Sequence, residues 1–138
     1  MEKGAFNILV VDDEKDWRET NKKTLAAEGF SVIAAGSGDE ALALAGKHKF
    51  HMAFLDITMP DMDGLVLLKK LKELDPDIQA VMLTGYATVD RAGIAHQEGI
   101  VDFLEKIADD PDEKSLGDEM VSVAEQVFGE LNRKEKTL

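Results

Sequence analysis

Short apolar runs alternate with longer stretches of mixed polarity along the chain, and this alternation limits the fold more than any other feature. The mixed stretches carry helical periodicity and helix-ending signals, whereas the runs are apolar on both faces. Strands of that kind need helices on both sides of a parallel sheet. The pattern therefore predicts one doubly wound α/β domain over residues 1–138. The predicted strands are residues 6–11, 30–35, 52–56, 78–84 and 100–106.

Capping and stop signals place the first three helices. Gly29 ends the helix that follows the first strand, since glycine commonly terminates helices. Ser37 and Glu40 have the spacing of a capping box at the start of the second helix. The third helix is predicted over residues 65–74, after a loop rich in aspartate.

Two further helices are predicted near the end of the chain. One covers residues 88–98 and precedes the fifth strand. The other follows an extended connection around 107–115, begins at Asp110 or Asp112, and ends near Leu131. Its apolar residues fall on one face, as expected of a helix packed on a sheet.

Composition excludes several classes of function. Acidic residues outnumber basic residues 28 to 16, which gives a net charge of −12. Such a surface repels nucleic-acid phosphates and argues against DNA binding by this domain alone. The lack of cysteine excludes disulfides, thiolate metal sites and thiol nucleophiles. With no signal-peptide pattern and no apolar stretch near the roughly 20 residues of a membrane span, we expect a cytoplasmic protein.

Charged and hydroxyl side chains follow the predicted strands. Right-handed crossovers place the carboxyl ends of all strands on one edge of the sheet, where open α/β sheets bind ligands. Each residue alone has a structural explanation, such as helix capping or turn formation, but their shared edge favours a site. The residues are Asp12, Asp13 and Glu14 after the first strand, Asp56 after the third, Thr84 after the fourth and Lys106 after the fifth.

These side chains suit metal-assisted phosphoryl transfer. Crowded carboxylates repel each other, and a hard divalent ion such as Mg²⁺ removes that repulsion while leaving room for a phosphate ligand. A lysine and a hydroxyl opposite the metal can neutralise and hydrogen-bond phosphoryl oxygens. The carboxylate of Asp56 can itself act as a nucleophile and form an acyl phosphate.

Four motifs together resemble a known family. The segments ILVVDDE, FLDITMPDMDGL, VMLTGYA and VDFLEK, in this order and spacing, are similar to the receiver domain of two-component response regulators, as in chemotaxis receivers. The resemblance covers residues 7–106 closely and the last helix loosely. It implies a flavodoxin-like sheet of five parallel strands in the order 2-1-3-4-5, with the site between the first and third strands.

The resemblance implies a role for each matching residue. Asp56 would accept a phosphoryl group from a histidine kinase, and Lys106 would pair with the phosphoryl oxygens. The domain would thus catalyse its own phosphorylation and dephosphorylation. Mg²⁺, for which Mn²⁺ can substitute, would be held by Asp12, Asp13, Asp56 and the backbone carbonyl of Thr58.

Three residues would couple phosphorylation to a change of surface. Thr84 would hydrogen-bond the phosphoryl group and move towards it, and Phe103 would change rotamer with it. Tyr86 either shields the acyl phosphate from water or only covers the start of the fourth helix. Pro60 and Gly64 would shape the loop after Asp56.

The implied partners are a sensor histidine kinase or phosphotransfer protein and a downstream protein. A homodimer through the fourth helix, the fifth strand and the last helix is also compatible with the family. No effector domain follows, so we expect either action by docking or relay, or a place in a longer chain. The alternative function is a phosphorylation-independent receiver that only binds proteins, but such receivers usually lack an acid, the lysine or the hydroxyl.

Three other classes of site fit the residues poorly. A flavodoxin would place two aspartates against the flavin phosphate. A phosphatase of the haloacid dehalogenase type needs an acid where Thr58 stands, and an EF-hand loop needs one in place of Met59.

The chain departs from the family pattern after Lys106. Receivers usually have a proline next, in a cis peptide bond, but here Ile107 follows and the connection is longer and acidic. A cis bond before a residue other than proline costs about 2.5–4 kcal/mol, so we expect this bond to be trans. The long stem of Lys106 should still reach the site. Asp109 and Asp110 are expected near the same edge.

Overall fold

Five parallel strands form a single sheet in the order β2-β1-β3-β4-β5, which confirms the predicted fold class. The structure, a computed structural model, describes residues 1–85, 100–106 and 115–136. The predicted fourth helix, Tyr86 and the connection from 107 to 114 lie outside the described residues. The strands are β1 (Asn7–Val11), β2 (Ser31–Ala35), β3 (Met52–Asp56), β4 (Gln79–Thr84) and β5 (Ile100–Glu105).

The helices in the described residues cover both faces of the sheet. A 3₁₀ turn at Lys3–Ala5 precedes β1. Ser37 caps α2 as predicted, because its hydroxyl accepts the Glu40 N–H at 3.1 Å. Gly29 follows α1 with φ of 103°, a conformation that favours glycine. The helices are α1 (Lys15–Ala27), α2 (Gly38–Ala45), α3 (Gly64–Leu74) and the last helix (Leu116–Lys136).

The last helix differs from its predicted boundaries. It begins at Leu116, later than Asp110 or Asp112, and it continues past Leu131 to Lys136. The hydroxyl of Ser115 accepts the Asp118 N–H at 3.1 Å, so Ser115 acts as the N-cap. The Ser–x–x–Asp spacing was a capping signal in the sequence that the two upstream aspartates obscured.

Two apolar clusters hold the helices against the sheet. Ile8 and Val10 of β1 point to the face covered by α1 and the last helix, whereas Leu9 and Val11 point to the face covered by α2 and α3. This alternation follows from the two-residue period of a strand. All four side chains are fully buried. Because both faces are covered, the ends of the central strands are the part of the sheet left for a site.

In the described part of the chain, no helix combines the length and the apolar character needed to cross a bilayer.

Candidate functional site

Three carboxylates meet at the carboxyl ends of β1 and β3. Asp12 follows β1, and Asp56 is the last residue of the neighbouring strand β3. Asp13 is exposed, whereas Asp12 and Asp56 are 0% and 4% exposed. One carboxylate oxygen from each of the three lies within 4.8 Å of the other two. The sequence prediction that these residues share one edge is therefore what the structure shows.

Backbone contacts fix the Asp12 carboxylate. Its Oδ1 accepts the N–H of Glu14 at 2.9 Å, an Asx-type contact at the start of α1. Its main-chain N–H donates to Ala35 of β2 at 3.1 Å. Arg18 donates to its main-chain oxygen at 2.9 Å. With Oδ1 held in this way, Oδ2 is the oxygen that lies near Lys106.

The Asp56 carboxylate is held from two sides. Its Oδ1 accepts the N–H of Thr58 at 3.1 Å, and its Oδ2 accepts from Lys106 Nζ at 3.3 Å. The loop after it is tied to α2, since an Asp61 carboxylate oxygen accepts the N–H of Gly38 at 3.0 Å. The loop that carries Thr58 is thus held by its contacts with Asp56 and with α2.

Lys106 reaches the acidic cluster from the end of β5, two strands away from β3. Its main-chain N–H donates to Thr84 at 2.8 Å, which continues the pairing of β4 and β5 by one residue. Its Nζ lies 2.6 Å from Asp12 Oδ2, 3.3 Å from Asp56 Oδ2 and 4.0 Å from Glu14 Oε1. The lysine side chain is only 8% exposed. The sequence departure at Ile107 therefore does not turn Lys106 away from Asp56.

Burial and charge shift the pKa values of this pair. Burial raises the pKa of the Asp56 carboxyl to about 6, the Lys106 ammonium opposes that shift, and the neighbouring Asp12 adds to it. Burial alone would lower the pKa of the Lys106 ammonium, but the carboxylates of Asp12 and Asp56 outweigh it and the net shift is upward. The Lys106 ammonium thus only partly offsets the combined effect of burial and of Asp12 on the pKa of Asp56.

The other predicted residues lie at different distances from the cluster. Thr84 ends β4 and is 4% exposed, and it is next in the chain after Leu83, the neighbour of Asp56 across the sheet. Phe103 on β5 is half-buried and packs against the cluster on the α2 and α3 face. Tyr86 lies outside the described residues.

Sequence reasoning missed two contacts of the site. Trp17 was given no role at the site from the sequence, yet Lys106 Nζ lies 5.7 Å from the centroid of its ring. Its position one helical turn after Asp13 was the available signal. Arg18 had no such signal, because its contact with the Asp12 carbonyl depends on how α1 leaves the sheet.

The comparisons with known proteins agree with this geometry. Residues 8–114 match the family described as the response regulator receiver domain. The chain belongs to the response regulator receiver family. A curated relative, the C4-dicarboxylate transport transcriptional regulatory protein DctD of Rhizobium meliloti (strain 1021), is 37% identical over 102 residues, which are 74% of this chain and 22% of that protein. The chain spans about a quarter of the length of the curated relatives it matches.

Two solved structures show the same receiver fold. A CheY-like receiver domain from Methanospirillum hungatei JF-1 has a TM-score of 0.76 and 29% identity, and the match covers 96% of this chain and 98% of that one. A response regulator from Burkholderia pseudomallei has a TM-score of 0.73 and 31% identity, with coverage of 94% and 74%. That structure is described as containing a phosphorylated aspartic acid, a calcium ion and citrate.

The acidic cluster of this receiver fits a divalent cation. Receiver domains bind such an ion at an acidic pocket, and hard divalent ions prefer oxygen ligands. Asp12, Asp13 and Asp56 each supply a carboxylate oxygen within 4.8 Å of the other two, and burial raises the pKa of Asp56 to about 6, so its ionised form gains from an added positive charge. Receiver domains also act with histidine kinases or phosphotransfer proteins and with downstream effectors.

Proposed function

We propose that this receiver accepts a phosphoryl group on Asp56 from the phosphohistidine of a sensor histidine kinase or phosphotransfer protein, in a Mg²⁺-dependent reaction. One observation carries the proposal. The buried Asp56 carboxylate lies in a cluster with the carboxylates of Asp12 and Asp13, and the Lys106 ammonium lies 3.3 Å from it. A nucleophile beside both a cation site and a lysine ammonium suits phosphoryl transfer.

In the proposed step, an Asp56 carboxylate oxygen attacks phosphorus. The new P–O bond forms as the P–N bond of phosphohistidine breaks, and the electron pair returns to the imidazole nitrogen, which takes up a proton. Lys106 pairs with the phosphoryl oxygens, and the Thr84 hydroxyl donates to one of them. The three aspartates and the Thr58 carbonyl would hold Mg²⁺, which would supply positive charge against the repulsion between carboxylate and phosphoryl group. Mn²⁺ can take the same place.

The acyl phosphate would then change the surface read by a partner. Thr84 moves towards the phosphoryl group, and Phe103 on the neighbouring strand changes rotamer with it. Thr84 lies on β4 and Phe103 lies on β5, so the proposed change is transmitted to the β5 edge of the sheet. The output is binding of a downstream protein or a second copy of this chain.

The proposal treats residues 1–138 as one receiver domain that acts in the cytoplasm. The family match over residues 8–114 supports a single domain, as does the packing of the last helix against the cluster that α1 covers. A receiver that binds proteins without phosphorylation is not favoured, because this chain keeps the acids and the lysine together at one edge.

A small phosphodonor tests the proposal without knowledge of the kinase. The protein is incubated with acetyl phosphate and Mg²⁺, and its intact mass is measured. We expect the wild type to gain one phosphoryl group and Asp56→Asn to gain none. Asp77→Asn, a change at an exposed acid after α3, is the matched control and should behave as wild type. A wild type that gains no mass would favour the binding-only receiver, whereas an Asp56→Asn protein that gains mass would place the phosphoryl group on another residue.

A further inference from the structure

Trp17 contacts both Lys106 of the site and the apolar cluster on the α1 face. It is the only tryptophan in the chain and lies in the first turn of α1. Its half-buried side chain packs against the cluster on the α1 face. The Lys106 ammonium lies 5.7 Å from the centroid of its ring, within the range in which a cation is attracted to an aromatic face, and indole attracts cations most strongly. Packing explains the burial of the ring, but it gives no role to this contact.

The partners of Lys106 show why the contact matters. Its ammonium is shared between Asp12 Oδ2 at 2.6 Å and Asp56 Oδ2 at 3.3 Å. A divalent cation bound by these carboxylates would repel the ammonium and weaken the contacts that hold it. A lysine stem is long and flexible, so the ammonium would then need another contact to stay beside Asp56. Among the described residues, Trp17 offers an aromatic face for that contact.

We propose that Trp17 is a positioning residue, whose ring holds the Lys106 ammonium beside Asp56 when a divalent cation takes over the carboxylates. The inference rests on the proposed function, because it assigns the ammonium to the phosphoryl oxygens. Trp17 touches neither the phosphoryl group nor the metal in this role. It acts through Lys106 alone, and this separates the role from simple packing.

The first test compares rates of phosphorylation by acetyl phosphate at saturating Mg²⁺, on variants shown to be folded by circular dichroism. Trp17→Leu keeps an apolar side chain but removes the ring, so we expect its rate to fall about two- to fivefold. Trp17→Phe keeps an aromatic face and should retain most of the rate. The matched control is Phe128→Leu, which removes a ring from the same cluster far from the site and should leave the rate unchanged.

Equal rates for Trp17→Leu and wild type, or an equal loss in Phe128→Leu, would overturn the proposal in favour of packing. A wild type that gains no phosphoryl group would instead contradict the proposed function. In that case the emission of Trp17 still tests the contact between its ring and Lys106, because this measurement needs no phosphorylation. The same measurement on the wild type tests the contact if Trp17→Leu does not fold.

The second test uses the emission of Trp17. Lys106→Met removes the charge above the ring and should shift the emission. Lys3→Met removes an ammonium that lies 5.2 Å from the Phe30 ring and should leave the emission unchanged. We expect the difference between wild type and Lys106→Met to persist at saturating Mg²⁺. A difference that disappears with Mg²⁺ would show that the ammonium leaves the ring, and the proposal would then be wrong.

Discussion

A Cβ atom on Gly64 would lie 2.2 Å from the main-chain oxygen of Asp56, a distance that no side chain tolerates. Gly64 begins α3, and its N–H donates to Ile57 at 2.9 Å, so the chain returns against the strand that it has just left. Among the described glycines only Gly29 has a positive φ. Gly64 is therefore needed for space rather than for a positive φ.

This close approach predicts a large effect of Gly64→Ala. The added methyl group must displace the backbone at Asp56, and overpacking of this kind costs about 1–3 kcal/mol or more in the free energy of unfolding. Gly129→Ala is the matched control, because nothing lies within 4 Å of a Cβ there. In the middle of the last helix it should raise stability by about 0.5–1 kcal/mol. Urea unfolding of both variants measures the contrast, and similar effects at the two positions would contradict it.

The acidic cluster predicts stabilisation by divalent cations. Binding to the folded state alone raises the free energy of unfolding by about 1.4 kcal/mol when the free metal is ten times its Kd. Thermal melts with and without millimolar Mg²⁺ should therefore separate for wild type. Asp13→Ala should remove most of the separation, whereas Glu73→Ala, at an exposed acid on α3, should not. An equal shift in wild type and Asp13→Ala would place the metal elsewhere.

The sequence predicted those parts of the site that depend on topology. Asp12 and Asp56 end neighbouring strands of a parallel sheet, so their proximity follows from strand order alone. Lys106 follows β5, two strands away from β3, and only its long stem brings its charge to Asp56. Apolar periodicity and strand ends were sufficient for these residues.

Other features depend on packing that periodicity does not encode. The start of the last helix at Leu116 was missed because Asp110 and Asp112 are also good capping residues, and only the observed Ser115 contact distinguishes them. Trp17 is half-buried and packs against the core cluster on the α1 face. Its second contact, with Lys106, depends on the angle at which α1 leaves the sheet, and three-dimensional packing sets that angle.

His51 predicts a loss of stability in acid. Its Nδ1 accepts the Asn7 N–H at 3.0 Å, and its ring stacks on Phe6 with centroids 5.3 Å apart. Burial lowers the pKa of His51 below 6.5, the charge of Lys49 adds to this, and the acids Asp75 and Glu135 oppose it. The folded state therefore favours the neutral ring. Its contribution is present above pH 6.5 and is lost as the pH falls through the folded-state pKa.

Protonation of Nδ1 would replace this acceptor with a donor, and a lost hydrogen bond of this kind costs about 1 kcal/mol. Urea unfolding between pH 8 and pH 5 should show wild type losing stability relative to His51→Gln as the pH falls. His48→Gln, at an exposed histidine nearby, is the control and should follow wild type. Parallel curves for wild type and His51→Gln would show that the contact does not respond to pH.

Asp56 predicts a pH dependence of the opposite sign. Burial raises the pKa of its carboxyl from 3.8 to about 6, so the folded state favours the protonated form. The corresponding stability is fully present below pH 3.8 and is lost as the pH rises through about 6. Without a divalent cation at pH 8, the ionised carboxylate therefore destabilises the fold, and Asp56→Asn should be more stable than wild type by on the order of 1–3 kcal/mol.

The difference in stability between Asp56→Asn and wild type should disappear near pH 4, where both side chains are neutral, and should narrow at pH 8 when Mg²⁺ is added. Urea unfolding in the presence of a chelator at pH 4, 6 and 8 measures it, with Asp77→Asn as the exposed control. A wild type as stable as Asp56→Asn at pH 8 would contradict the raised pKa and show that Lys106 fully compensates the burial of the ionised Asp56 carboxylate.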